Sequence, residues 1–212
     1  MTEDYNKFWK QNISEIAKEG KRYGWFRRKK YAHIARLFPK FILKRFPARK
    51  YQFGVASISE GFLCDLGCGL GGTSALYHAL RNKPVIGADI SIEAIRFANM
   101  EKQRLGFTTI KFIVSDITHT PFKKGLFDTV YLGQVLEHVP DEHKVLKEAM
   151  RILKPNGILI ISIPKEDMLP SPYHVREYKT NDVEKLLSAY SKEKPVFYDF
   201  DPRRFVVSIR IK

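Results

Sequence analysis

Residues 62–72 read FLCDLGCGLGG, and the fold is decided there. FLCDL is an apolar run of strand length, Gly67, Gly69 and Gly72 match GxGxxG, and a helical pattern opens at Gly72 and continues to Leu80. A strand that enters a helix through a glycine turn begins a βαβ unit. The chain then repeats the rhythm: PVIGAD (84–89), IKFIVSD (110–116), DTVYLG (128–133) and GILIISI (157–163) are each followed by a connection long enough for a crossover. That alternation predicts a mostly parallel sheet. Helices are expected between these strands over 92–105 and about 142–153, the second stopped by Pro155 and Gly157, with Asn156 and Gly157 supplying the turn.

Downstream, PKEDMLPSPYHVREY (164–178) holds three prolines and is long for a compact domain, so it is a candidate active-site loop. Thr180 is placed to cap a helix running to Tyr190. Strands over 196–200 and 205–211, split by the turn Asp201-Pro202, are expected to pair as an antiparallel hairpin. Upstream, Phe8, Ile13 and Ile16 suggest one helix, and 25–46 another, interrupted at Pro39. The expected division is a basic helical segment over 1–55 and an α/β domain over 56–212.

With 212 residues, 44% hydrophobic, the chain can bury one full core. Its net charge of +14 is concentrated early, residues 1–60 holding 15 Lys/Arg against 5 Asp/Glu. Residues 21–50 interleave cations with aromatics, a pattern suited to an acidic membrane surface, to RNA phosphates, to covering a substrate pocket, or simply to a packed helix pair with a basic outer face. The first residues lack the apolar core of a secretory signal, and the sparsely charged stretch 61–80 carries Asp65 and five glycines, so a cytoplasmic protein is expected. Cys64 and Cys68 bracket the tight turn and read as small packing residues in a reducing compartment.

The glycines alone fit a dinucleotide, with Asp89 closing the second strand 22 residues after Gly67. Asp65 separates two cofactors, because a pyrophosphate brought to this turn would meet a like charge, whereas S-adenosylmethionine (SAM) brings an ammonium and a sulfonium. The stretch resembles the first motif of class I SAM-dependent methyltransferases, (D/E)xGxGxG, met by Asp65, Gly67, Gly69 and Gly71. FDTVYLGQVLEHVPD (127–141) and RILKPNGILIISIP (151–164) resemble the fourth- and fifth-strand motifs of the type 11 group, and the likeness covers roughly residues 60–190. The resemblance implies a Rossmann-like seven-stranded, mostly parallel sheet with an antiparallel last strand and helices on both faces. It also implies that Asp65 lies near the cationic methionine end, with Gly67, Cys68, Gly69, Gly71, Gly72 and Gln134 lining the donor. Asp89, next to Ile90, would accept from the ribose hydroxyls while Ser91 caps the next helix. Asp116 would sit near the adenine amino group, with Ile117 against the base. In many relatives the segment before the first motif is a lid over the acceptor.

Methyl transfer is an in-line displacement, so the protein must place a nucleophile and, where needed, remove its proton. Candidates beyond strands four and five are Gln134, Glu137 and His138 on one side, Tyr173 and His174 on the other. A neutral His174 suits a base near pH 7; the competing roles are loop ordering by 174–178 and helix entry by Glu137 and His138. Some members of the superfamily hold a divalent ion on ExxEH and a later histidine; here Gln134 replaces the first Glu, an amide is a poorer ligand for a hard cation, and no metal is expected. The (D/N/S)PP(Y/F/W) motif of enzymes methylating base amino groups is absent, and His33, His78, His119 and His143 stand in no constellation. The sequence thus points to SAM-dependent methylation of a hydroxyl or amine on a small or lipid-like metabolite. An RNA methyltransferase and a SAM-binding protein without transferase activity are the competing readings.

Overall fold

The alternation that begins at residue 62 becomes one seven-stranded sheet in a computed structural model that describes residues 2–19, 50–166 and 168–211. β1 (Leu63–Leu66), β2 (Val85–Asp89), β3 (Ile110–Val114), β4 (Phe127–Gly133) and β5 (Leu153–Pro164) pair in parallel in the order β3-β2-β1-β4-β5. β7 (Arg204–Arg210) joins β5 antiparallel, and β6 (Val196–Tyr198) forms the outer edge of the expected hairpin. Leu66 is level with Ala88 on one side and Leu132 on the other, so β1, β2 and β4 end together. That register brings Asp65, Asp89 and Gln134 to one edge of the sheet.

Helices cover both faces, as central strands buried nearly throughout require. α2 (Lys50–Ile58), α3 (Gly72–Arg81) and α4 (Ile92–Leu105) bury Phe53, Leu76 and Ile95 with Leu63, Val85 and Ile110. α5 (Glu142–Ile152) and α6 (Thr180–Ser188) bury Leu146 and Val183 with Cys64, Leu66 and Leu132 on the other. Each such aliphatic side chain contributes about 1.5–3 kcal/mol by leaving water. Ser91 caps α4 as expected, its Oγ accepting from the Ala94 N–H at 3.2 Å. Asp141 does the same for α5 through Lys144.

Some boundaries differ from expectation. Lys179, not Thr180, is the residue that caps α6, and Asp182 secures it by accepting from the Lys179 N–H at 2.9 Å. α5 stops at Ile152 because Leu153 already pairs with Phe127; residues 154–157 then bulge out, with Asn156 left-handed at φ 62°, before pairing resumes at Ile158. β3 ends at Val114, two residues short of Asp116, and β6 ends at Tyr198 rather than Phe200. α2 was not apparent in the sequence, and it crosses the division expected at 55/56. Its Gln52 to Ala56 are all buried and the Phe200 ring lies against Gly54, so it has no polar stripe to betray it.

α1 (Thr2–Glu19) is the helix expected around Phe8 and Ile13, whereas the helix expected over 25–46 lies outside the described residues. Among the described residues no helix is long and apolar enough to cross a membrane.

Candidate functional site

The glycine turn leaves β1 with Gly67, Gly69 and Gly71 all left-handed, at φ 73°, 50° and 75°. Only glycine takes up such a run without strain. The Gly67 and Cys68 N–H groups donate to Ala88 O, which fastens the turn to β2. Asp89 completes it: one carboxylate oxygen accepts from the Gly69 N–H at 2.8 Å and the other from the Ser91 N–H at 2.9 Å. The Ile90 N–H also meets the carboxylate, which still leaves lone-pair capacity for an outside donor. Ser115 N–H donates to Asp89 O, so the turn after β3 lies alongside.

Asp65 is 2% exposed and accepts from the Ser74 hydroxyl at 2.6 Å. Burial pushes its carboxyl up to about 7, opposed by the Ser74 hydrogen bond and reinforced by the charge of Asp89. Burial raises Asp89 as well. Among the described residues neither carboxylate has a salt-bridge partner, so the turn holds two buried acids and no cation. A positively charged ligand would relieve that, and a pyrophosphate would worsen it. The residues present therefore fit SAM: glycines that allow backbone approach, an acid for the ammonium and sulfonium end, and an acid with free lone pairs for hydroxyls.

α1 lies across this edge. The Trp9 ring rests on Gly69, where an added Cβ would stand 2.8 Å from it. Ser91 Oγ donates to Asn6 Oδ1 at 2.9 Å, and Lys10 reaches Glu93 at 3.8 Å. On the far side the Tyr5 hydroxyl donates to His138 O at 3.0 Å and Phe8 meets Tyr173 edge-on. One helix thus touches both the glycine turn and the loop after β5.

The second part of the site follows β4. Residues 135–138 form a turn, closed by the His138 N–H donating to Val135 O, ahead of the α5 cap at Asp141. Val175 N–H donates to Glu137 O, and Arg176 donates to the carbonyls of Leu136, Val139 and Pro140 while pairing with Glu142. These bonds draw the 164–178 loop onto the turn and set His174 beside His138, ring centroids 4.8 Å apart. His138 Nδ1 lies 3.1 Å from Tyr173 O, which can only accept, so Nδ1 carries the proton and Nε2 has a free lone pair. Burial lowers the pKa of both imidazoles, which favours their neutral form. Glu137 is 1% exposed, and neither carboxylate oxygen has a hydrogen-bond partner among the described residues. Burial pushes it up to about 7. A small, partly enclosed cleft is lined by Glu137, Leu169, His174 and Tyr178.

The structure therefore gathers Asp65, Gly67, Gly69, Gly71, Asp89 and Ile90 on one side and Glu137, His138 and His174 on the other. Gly72 begins α3 behind the turn. Cys68 contributes its backbone, while its thiol packs at Gly87. Asp116 is exposed, and its Oδ1 accepts from the Thr118 N–H and hydroxyl; Ile117 packs against the core. Gln134 is left-handed at φ 58°, with its amide toward Ser162 and Arg204. Tyr5, Asn6 and Trp9 were not singled out, and Arg176 was read only as one charge of the loop-ordering segment 174–178, where it does pair with Glu142. Arg176 lay in a motif already quoted, but nothing in a local pattern shows that α1 returns to the glycine turn.

The chain matches the model of a family described as a methyltransferase domain over residues 59–198. It is 34% identical over 98 residues to the 2-methyl-6-phytyl-1,4-hydroquinone methyltransferase of Synechocystis sp., covering 46% of this chain and 30% of that protein. It is 31% identical over 111 residues to norajmaline N-methyltransferase of Rauvolfia serpentina, covering 51% and 38%. The chain thus spans about a third of the length of these curated relatives. A crystal structure of a SAM-dependent methyltransferase from Aquifex aeolicus superposes with a TM-score of 0.67 at 19% identity, over 94% of this chain and 98% of the other. The family match covers most of the sheet and every motif that shapes the glycine turn, and the chain belongs to the methyltransferase domain family, with the class I fold of SAM-dependent enzymes.

Proposed function

We propose that this protein transfers the methyl group of SAM to a hydroxyl or amine of a small or lipid-like metabolite. The observation that carries the reading is the pair of buried acids at the glycine turn, Asp65 and Asp89, which have no salt-bridge partner among the described residues. SAM supplies a methyl group on a sulfonium, open to in-line displacement. Asp65 balances the donor's positive end, Asp89 accepts from its ribose, and Gly69 and Gly71 let the backbone close on it. Across the edge, the neutral His174 takes the acceptor's proton, with His138 and Glu137 beside it. Support for a lipid-like acceptor comes from the loop bordering the cleft, where Met168, Tyr173 and Val175 are 53%, 48% and 57% exposed. A relative named for a phytyl hydroquinone points the same way.

Calorimetry with SAM and with S-adenosylhomocysteine (SAH) tests the donor half: one site per chain is expected, and pure folded protein that binds neither overturns the reading. Labelled methyl transfer to a panel of hydroxyl and amine acceptors tests the other half. Good SAH binding with no transfer to any acceptor class favours a SAM-binding protein without transferase activity. A second reading, methylation of RNA, is supported by the cations of residues 21–50, of which 21–49 lie outside the described residues. RNA binding that weakens with salt and is lost on deleting 21–49 would favour it.

A further inference from the structure

From the geometry around the turn after β4, we infer that Glu137, His138 and His174 recognise the acceptor through a protonated primary amine, so that the methyl group goes to nitrogen. The inference rests on the methyltransferase reading and narrows its acceptor. Glu137 lines the cleft, is 1% exposed, and has neither oxygen in a hydrogen bond among the described residues. A buried carboxylate left in that state is costly, and a ligand that brings N–H groups and a positive charge resolves it.

The cations nearby are engaged elsewhere. Arg176 lines the same cleft, but its guanidinium donates to the carbonyls of Leu136, Val139 and Pro140 and pairs with Glu142. Arg204 pairs with Asp201 and reaches Gln134. Lys165 holds its ammonium 5.5 Å from the centre of the Phe205 ring. The backbone N–H of Glu137 and the charge of Arg204 offset the burial of its carboxyl only in part. The two histidines add acceptors rather than charge. His138 donates its Nδ1–H to Tyr173 O, which leaves Nε2 with a lone pair, and burial favours the neutral form of both rings.

Spacing and donor count select an ammonium. One side-chain N or O atom from each of the three residues lies within 4.8 Å of the others. Acceptors arranged tetrahedrally around one ammonium at about 2.8 Å stand about 4.6 Å apart, so a single –NH₃⁺ fits between them. A bare Zn²⁺ needs its donors about 3.3 Å apart. A primary ammonium offers three N–H donors to three acceptors, whereas a hydroxyl offers one. In the transfer step the ammonium gives one proton to the His174 imidazole, its freed lone pair forms the N–CH₃ bond, and the C–S bond breaks with its electrons passing to sulfur. The products are SAH and a methylated ammonium that Glu137 still balances.

Calorimetry in chelator-containing buffer near neutral pH tests this with n-hexylamine, 1-hexanol and hexyltrimethylammonium, probes that share a chain and differ in head group. Saturating SAH fills the donor site and leaves the space of the methyl group open. Hexylamine should bind one per chain and at least about 10-fold tighter than either of the others, the size of one hydrogen bond to a charged group. Glu137→Gln should remove that preference while hexanol stays within about 2-fold. His174→Ala should weaken hexylamine several-fold, and SAH affinity reports that both variants are folded. Hexanol or hexyltrimethylammonium bound as tightly as hexylamine, no binding of hexylamine, or a preference unchanged in Glu137→Gln overturns the inference. The wild-type comparison needs no variant, so it decides the matter if Glu137→Gln does not fold. Label transferred to hydroxyl acceptors alone overturns the amine inference and leaves the methyltransferase reading intact. SAH bound by none of the samples removes that reading instead, and the same titrations without SAH still test the amine site.

Discussion

Asp65 shows how far one residue can be read before its surroundings are known. Its position ahead of Gly67 is enough to select a cationic donor over a pyrophosphate, but the sequence does not reveal that burial raises its pKa to about 7. A cationic ligand stabilises the ionised form, so below about pH 7 binding must release a proton and affinity should fall, by up to about 10-fold per pH unit. SAH calorimetry from pH 5.5 to 8.5 checks this; Asp65→Asn should bind at least about 10-fold more weakly and lose the pH dependence assigned to this residue. A wild-type affinity that is flat across the range would contradict the assignment. The same shift has a stability consequence of fixed sign: with the folded pKa above the unfolded one, the contribution is full below about pH 4 and is lost as pH rises through 7. Asp116 was legible as closing strand three, which ends two residues earlier, and the bonds its Oδ1 accepts from Thr118 are local ones that motif spacing does not encode.

Among the elements, strands and crossover helices were legible because each has its own periodicity. α1 and α2 were harder for opposite reasons. α2 is buried nearly all round, and α1 shows its amphipathic face without showing what that face meets. Trp9 fills the space over Gly69, so a donor reaching the glycine turn must displace the ring. Trp9→Ala should therefore speed SAH association several-fold in stopped-flow experiments, with a stability loss of about 1–2 kcal/mol from the half-buried ring. An unchanged association rate would show that α1 does not gate the site. Arg176→Ala acts on a different element, removing the bonds that hold the 164–178 loop to residues 136–140. Hydrogen exchange should quicken over 168–178 while SAH affinity stays within about 2-fold, because Arg176 touches no donor residue; protection left intact would mean the loop is ordered by its other contacts.

For the molecule as a whole, the parallel register of β1, β2 and β4 delivers Asp65, Asp89 and the 134–138 turn to one edge, and that much follows from the alternation of elements. The closure of the edge does not, because contacts such as Tyr5 to His138 join residues 133 apart in sequence and are set by three-dimensional packing. Since donor, α1 and acceptor loop share this edge, ligand binding should be felt by the entire fold. SAH at 100 times its Kd adds about 2.7 kcal/mol to stability, and in a domain of this size that raises Tm by roughly 5–10 °C. Asp89→Ala supplies the control. It removes an acceptor for the ribose and leaves the Gly69 and Ser91 N–H groups unsatisfied, so its unliganded Tm should fall. Its SAH-induced rise should shrink to under about 2 °C at the same ligand concentration, a loss of nearly all the linkage energy. If the variant instead melts lower but gains as much from SAH as the wild type, Asp89 only holds the turn together and the ribose is bound elsewhere on the edge.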